Sequence, residues 1–219
     1  MSITFPRDLP AVGFTAGSKF ELERREVRST TRGGQPQAVE IASPLWVMKF
    51  RTIPLSETDG EIVSAWLDSL RGGAKTFKAY NPVRQFPLLN PSGFGGLTRA
   101  GGGTFDGTAT LAAVASTLDS ITLSTLPSTF KISIGDMMSI GYASGRRTLH
   151  KALEAVTASG GVASFAIEPV LFPGGPIATA GAVTLAQPWC LATLDAGKPD
   201  VSWGIGRMAS ISFSATQSY

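Results

Sequence analysis

Between Leu45 and Thr52 apolar and polar residues alternate, with Trp46, Met48 and Phe50 at every second position. That period puts three large side chains on one face of a strand. Past Pro54 the period changes. Ile62, Trp66 and Leu70 recur every four residues, with Val63 and Leu67 beside them, and this stripe predicts a helix over 57–71 that lays one face on a sheet. Ser56 stands where a cap belongs, and Asp59 is placed to accept from its backbone N–H, as in a capping box. Glu57, Asp59 and Glu61 put negative charge at the positive end of the helix dipole, and Arg71 sits at the other end. Gly72 is the expected left-handed residue that stops the helix. Lys75–Tyr80 follows as a second strand-like run, closed by Asn81-Pro82.

Short strands and glycine-rich turns make up the rest. Residues 1–19, with Pro6, Pro10, Gly13 and Gly17, read as an extended arm, either a loose terminus or a segment laid on a neighbouring subunit. Phe20–Ser29 is strand-like and heavily charged, which suits an edge or a wet face. Thr31–Pro36 is a hairpin-type loop, and Ala38–Ala42 is expected as a strand separate from Leu45–Thr52. At Pro91–Gly96 charge thins and Gly, Ala, Ser and Thr take over, marking a boundary. Strand candidates then fall at Thr108–Val114, Ser120–Ser124, Phe130–Ser133, Met137–Tyr142, Arg147–Val156, Val162–Ile167 and Ala182–Ala186, the even spacing of a small barrel or sandwich. Arg147–Ala158 has a helical alternative, since Leu149, Leu153 and Val156 also fit a helical stripe. Beyond Trp189 the residue pattern of the first ninety positions returns, and Arg207–Ala215 alternates again. The expected fold is mainly β: residues 1–92 and 188–219 form one β-domain with the helix, and 93–187 form an inserted small β-barrel or β-sandwich.

Composition adds bounds. The chain has 219 residues, enough for a core that needs no staples. Hydrophobic residues make up 43% and charged residues 16%, the latter well below the usual value of about a quarter. Either a partner covers part of the exterior, or the surface is an uncharged one rich in hydroxyls. The net charge is +3, and Arg24-Arg25 and Arg146-Arg147 are the only adjacent basic pairs, so sequence-specific nucleic-acid readout is not expected. One cysteine, Cys190, excludes an intrachain disulfide and fits synthesis in a reducing compartment. The start lacks the pattern of a signal peptide, and no apolar stretch approaches membrane-spanning length. Synthesis in a cytoplasm without membrane insertion is the expectation.

Candidate chemistry is sparse. His150 is the only histidine; a two-histidine metal site is impossible, and a surface or half-buried structural role is expected. Cys190 lies in the apolar run Pro188–Ala192 and reads as a buried, inert thiol. Asp106, Asp119, Asp136, Glu154, Glu168, Asp195 and Asp200 form no close pair suited to acid–base work. Asp136 is expected to accept backbone N–H bonds in its turn, and Glu168 to be buried against an arginine. Gly101-Gly-Gly103 lacks a following Gly-Lys-Ser/Thr and reads as a loop. Asn90-Pro91-Ser92 has proline where glycosylation forbids it. Trp189 or Trp203, with Tyr142, is an alternative platform for a host glycan. No catalytic, cofactor-binding or metal-binding residue is assigned, so the expectation is a protein without enzymatic activity and without a cofactor.

Glu61–Pro82, in which a helix ends at Gly72-Gly73 before a Phe-containing strand and a proline, resembles a segment of the distal tail and tail-tip proteins of long-tailed (siphovirus-type) bacteriophages. Ser210–Ala215 resembles their Phe-rich closing strand. The layout is similar to that of the minor tail-tip proteins of lambda-type phages. Lys131–Ile140 with Gly160–Pro169 looks like a β-domain inserted in many phage tail proteins. The resemblance implies a tail-tube-like β-sandwich with one flanking helix, assembled into a ring, hexameric in those families. It implies as partners further copies of the chain, the tail tube protein and the tail hub or tip proteins, in a virion built in the bacterial cytoplasm.

Overall fold

The computed structural model describes residues 3–30, 32–142, 145–172, 181–197 and 199–218. Of the expected loop Thr31–Pro36, Thr31 lies outside them. The protein is mainly β with one long helix. The first part of the chain supplies β1 (Arg7–Asp8), β2 (Lys19–Thr30), β3 (Pro36–Arg51), α1 (Glu57–Ser69) and β4 (Phe77–Tyr80). The middle supplies β5 (Thr108–Val114), β6 (Ser120–Ser124), β7 (Lys131–Ile132), β8 (Met137–Gly141), β9 (Arg147–Ala152), β10 (Val156–Thr157), β11 (Ala163–Glu168) and β12 (Ala182–Thr184). β13 (Trp189–Leu194), β14 (Asp200–Trp203) and β15 (Ala209–Gln217) complete the chain.

Both ends of the chain enter a seven-stranded sheet ordered β1-β4-β13-β15-β3-β2, with β14 also paired to β15. Its strands alternate buried and exposed residues, and the buried set meets α1. Trp46, Met48 and Phe50 of β3, Phe77 of β4, Cys190 and Ala192 of β13, and Ile211 and Phe213 of β15 form one core with Val63, Trp66, Leu67 and Leu70. Ile62, expected in the helical stripe, is 55% exposed. The buried stripe instead passes through Gly60, where a Cβ would lie 2.6 Å from the Ala209 Cβ. Glycine lets the helix lie that close to β15.

The helix boundaries refine the expectation. The Ser56 hydroxyl accepts from the Asp59 N–H at 3.2 Å and donates to the Asp59 carboxylate at 2.8 Å. Asp59 therefore answers the hydroxyl rather than the backbone N–H of Ser56. The helix ends at Ser69, and Arg71 (φ 52°), not Gly72, is the first left-handed residue. Gly73 is the demanding position, since a Cβ there would meet the Leu194 carbonyl at 2.6 Å.

The arm packs on its own chain. β1 pairs in parallel with β4, the Trp66 indole N–H donates to the Asp8 carbonyl at 2.9 Å, and Leu9 is buried. Residues Ala38–Ala42 and Leu45–Thr52 are one continuous strand, not two. The β2–β3 ladder passes from Glu23↔Leu45 to Arg25↔Ala42, leaving Arg24, Ser43 and Pro44 in an irregular step. A bulge tolerates Pro44, which lacks an N–H, and bends the strand pair.

The middle strands close a six-stranded barrel, β11-β6-β5-β12-β8-β9, with β7 and β10 paired separately. Leu111, Ile121, Leu123, Met138, Ile140, Phe165, Ile167 and Val183 fill it. Phe94, Phe105 and Phe130 add an aromatic cluster, with Phe94 and Phe105 centroids 5.0 Å apart. Arg99 ties the incoming loop to the barrel, donating to the Thr108 carbonyl at 2.7 Å and the Thr125 carbonyl at 2.9 Å. Arg147–Val156 begins as strand β9: Thr148 and His150 stand opposite Ile140 and Met138, and Leu149 between them is buried as well, in the core of the sheet. Where the chain passes between sheet and barrel, Gln187 donates its N–H to the Gln85 carbonyl at 2.7 Å, and the two side-chain amides bond at 2.7 Å.

Candidate functional site

The sheet and the barrel are joined by polar contacts around tryptophans. The Trp46 indole N–H donates to the Leu149 carbonyl at 2.6 Å, and the Lys151 ammonium lies 5.5 Å from the Trp46 ring centroid. Leu149 and Met137, on the outward face of the barrel, complete the core of the sheet. Lys78 and Arg147 lie 5.4 and 5.2 Å from the Trp189 ring centroid. Arg84 reaches the buried Asp136 carboxylate at 2.7 Å, and that carboxylate also accepts the backbone N–H groups of Leu88 and Ser133. Asp136 thus accepts backbone N–H bonds as expected, but it anchors the linker as well as its own turn. Glu168 meets an arginine but is not buried against it: Arg24, freed by the irregular step beside Pro44, lies 3.0 Å away, with the Glu168 side chain 21% and the Arg24 side chain 52% exposed.

His150 is fully buried rather than half-buried. Its Nδ1 lies 2.7 Å from the Pro169 carbonyl and its Nε2 2.7 Å from the Thr148 hydroxyl. Burial holds its pKa down at about 4, the Pro169 hydrogen bond acting the other way. Cys190 is buried on β13, which pairs with β4, and burial pushes its thiol up to about 12. Asp106 is held below the usual carboxylate range by the Thr108 hydroxyl and N–H, with Arg99 assisting. Among the described residues no group of three or more His, Cys, Asp or Glu side chains is arranged to hold a metal ion.

Among the described residues no ring contact joins Tyr142 to Trp189 or Trp203. Trp189 has Lys78 and Arg147 over its ring. Trp203 lies on β14 of the sheet, whereas Tyr142 follows β8 of the barrel and accepts from the Phe172 N–H at 3.1 Å.

One feature is left unsupported by the rest of the chain. Beyond the irregular step at Pro44, β2 and β3 continue as a two-stranded ribbon from Arg25↔Ala42 to Thr30↔Pro36. Nearly all of its residues are exposed. Val27 faces Val39 in register, and Ile41 sits unpaired at a second irregular step between Glu26↔Glu40 and Arg25↔Ala42, the three being 54%, 65% and 66% exposed. Glu26, Arg28 and Glu40 occupy the other side, with Glu26 and Arg28 paired. An isolated two-stranded ribbon is marginal in water, and a stripe of exposed β-branched residues on it is a surface for association. The charges of Phe20–Ser29 indicate an edge; the apolar stripe emerges only once Val27 and Val39 are placed in register.

Among the described residues no helix is long and apolar enough to cross a membrane. No protein-family model matches the chain, and no curated protein matches it.

Proposed function

We propose that the protein is a structural subunit of a bacteriophage tail, forming a ring at its distal end between the tail tube and the tail-tip or receptor-binding apparatus. The observation that carries this reading is the β2–β3 ribbon with Val27, Val39 and Ile41 exposed. A heterologous contact between such a ribbon and a different surface of the next copy generates a closed ring when the rotation closes. Support also comes from the resemblance of Glu61–Pro82 and Ser210–Ala215 to tail-tip proteins, and from the meeting of those two segments in one layer of sheet and helix. In this reading the sheet with α1 is the tail-tube-like ring-forming body, and the barrel is carried on its outside. The ring is hexameric, its neighbours are the tube and hub proteins, and subunit contact rather than catalysis does the work.

The test is to image tails assembled with a tagged copy of this chain. The reading requires the tag at the distal end, in rotationally repeated positions. A tag absent from purified tails, or scattered along the tube, contradicts it.

A further inference from the structure

The exposed face of the sheet, opposite α1, carries a second feature that neither the fold nor the ring contact uses. Three residues stand side by side on neighbouring strands: Arg51 opposite Ser212, and Ser212 opposite Asp200. Lys49 opposes Ser214 one step along, and Ser202 opposes Ser210 at the other end. β13 and β14 both pair with the same side of β15, and the chain departs from it between Leu194 and Asp200. A hollow of about 280 Å3 lies there, lined by Gly17, Lys49, Arg51, Asp195, Ser212 and Ser214 among others. A second of about 250 Å3 adjoins it and shares Arg51, Asp200 and Ser212. The two form one trough with cations along one wall, hydroxyls on the floor and carboxylates along the other wall.

Its charges are unspent. Among the described residues neither Lys49 nor Arg51 makes an ion pair, and Asp200 has none. Asp195 accepts from the Thr216 hydroxyl at 2.6 Å. Lys19 stands directly opposite Lys49, a like-charge pair that disfavours the bare sheet; Lys19 has Glu21 3.8 Å away. With strands about 4.8 Å apart, the backbones bearing Arg51 and Asp200 are about 10 Å apart, room for a six-membered ring between the two side chains. A bare anion gains nothing from Asp200 and is repelled by it; a neutral sugar leaves the two cations unused.

We infer that this trough binds a hydroxylated ring bearing an oxyanion, as in a sugar acid or a sugar phosphate. The oxyanion lies against Arg51 and Lys49; ring hydroxyls accept from Ser212 and donate to Asp200 and to the Ser202 Oγ, whose own proton goes to the Ser210 carbonyl at 3.2 Å. The site is independent of the ring assembly.

The test is a backbone amide NMR titration of the full chain with glucuronate, glucose 6-phosphate, glucose and inorganic phosphate, each to about 50 mM. Millimolar binding of glucuronate or glucose 6-phosphate, with shifts confined to β3, β14 and β15, is the expected result, and whichever binds tighter identifies the source of the oxyanion. Arg51→Gln and Lys49→Gln should each weaken it by about tenfold. Asp200→Asn should weaken both sugar ligands while leaving inorganic phosphate unchanged or tighter. These side chains are exposed, so an unchanged unfolding midpoint verifies that the variants fold. The inference is overturned if neither sugar acid nor sugar phosphate shifts these amides, or if glucose binds as tightly. Inorganic phosphate matching the sugar phosphate with no response to Asp200→Asn overturns it too. So do shifts that grow with protein concentration alone and resist both ligands, which would show the trough filled by a second copy.

Discussion

The rings of Phe50 and Phe213 stack with centroids 4.8 Å apart and an interplanar angle of 21°. Phe213 sits opposite Phe50 across the β15–β3 ladder, and Phe77 and Trp66 close on the pair at 6.4 and 5.8 Å from Phe213. The contact joins the C-terminal strand to the first third of the chain, with the whole barrel sequence between them. Phe213→Ala should lower the unfolding free energy by about 3–5 kcal/mol. A double-mutant cycle with Phe50→Ala should return a coupling of about 0.5–1.5 kcal/mol. Urea unfolding measures both, and a loss below about 1 kcal/mol would contradict the packing.

The arm belongs to the fold. Leu9 is buried against the sheet core, and β1 extends the sheet beside β4. Leu9→Ala should therefore cost about 2–5 kcal/mol. A variant as stable as the parent but deficient in assembly would return the arm to the role of a clasp between subunits.

His150 gives a pH dependence of definite sign. Unfolded, it takes a proton near its ordinary pKa of 6.5; folded, it stays neutral down to about 4. Between those values the unfolded chain binds more protons, so stability falls as pH drops, by up to about 3 kcal/mol. Above the upper value the group contributes no slope. Comparing urea midpoints of the parent and His150→Gln across this window isolates the effect, and the variant should show the shallower decline. Parallel curves would show that burial does not hold the imidazole neutral.

Cys190, raised to about 12 and fully buried, should be inert in the native state. Its reaction with a thiol reagent should proceed only as the sheet opens and become immediate in denaturant. Native-state labelling at the rate of a free thiol would be inconsistent with the placement of β13.

Much of the architecture is legible in the sequence because its signals are local. The period-two runs at Trp46–Phe50 and Ile211–Ala215 and the capped helix declare themselves, and all seven middle segments begin within one residue of the expectation. What the sequence hides depends on distant partners. Ile62 fits the helical period as well as Val63 does, and only the closeness of β15 at Gly60 decides which faces inward. Pro44 reads as a break between strands, yet an irregular step absorbs it. β13 carries no strand signal of its own because Trp189–Leu194 is apolar almost throughout, and its alternation shows only against β4 and β15. The arm is hidden likewise, since nothing in Arg7-Asp8 announces a parallel partner in Phe77-Lys78. The trough is invisible along the chain because Lys49, Ser212 and Asp200 meet only across strand registers.

The ribbon makes a separable prediction. Val39→Lys and Ile41→Lys change side chains exposed to water, so stability should stay within about 0.5 kcal/mol of the parent. Assembly should be lost. A variant that assembles normally would remove the apolar stripe from the contact.

The most direct measurement is native mass spectrometry of the purified protein across a concentration series, with Ile41→Lys alongside. The account predicts a single closed oligomer of fixed copy number for the parent and monomer for the variant. A parent that stays monomeric at the highest concentration, or a variant that forms the same oligomer, would contradict it.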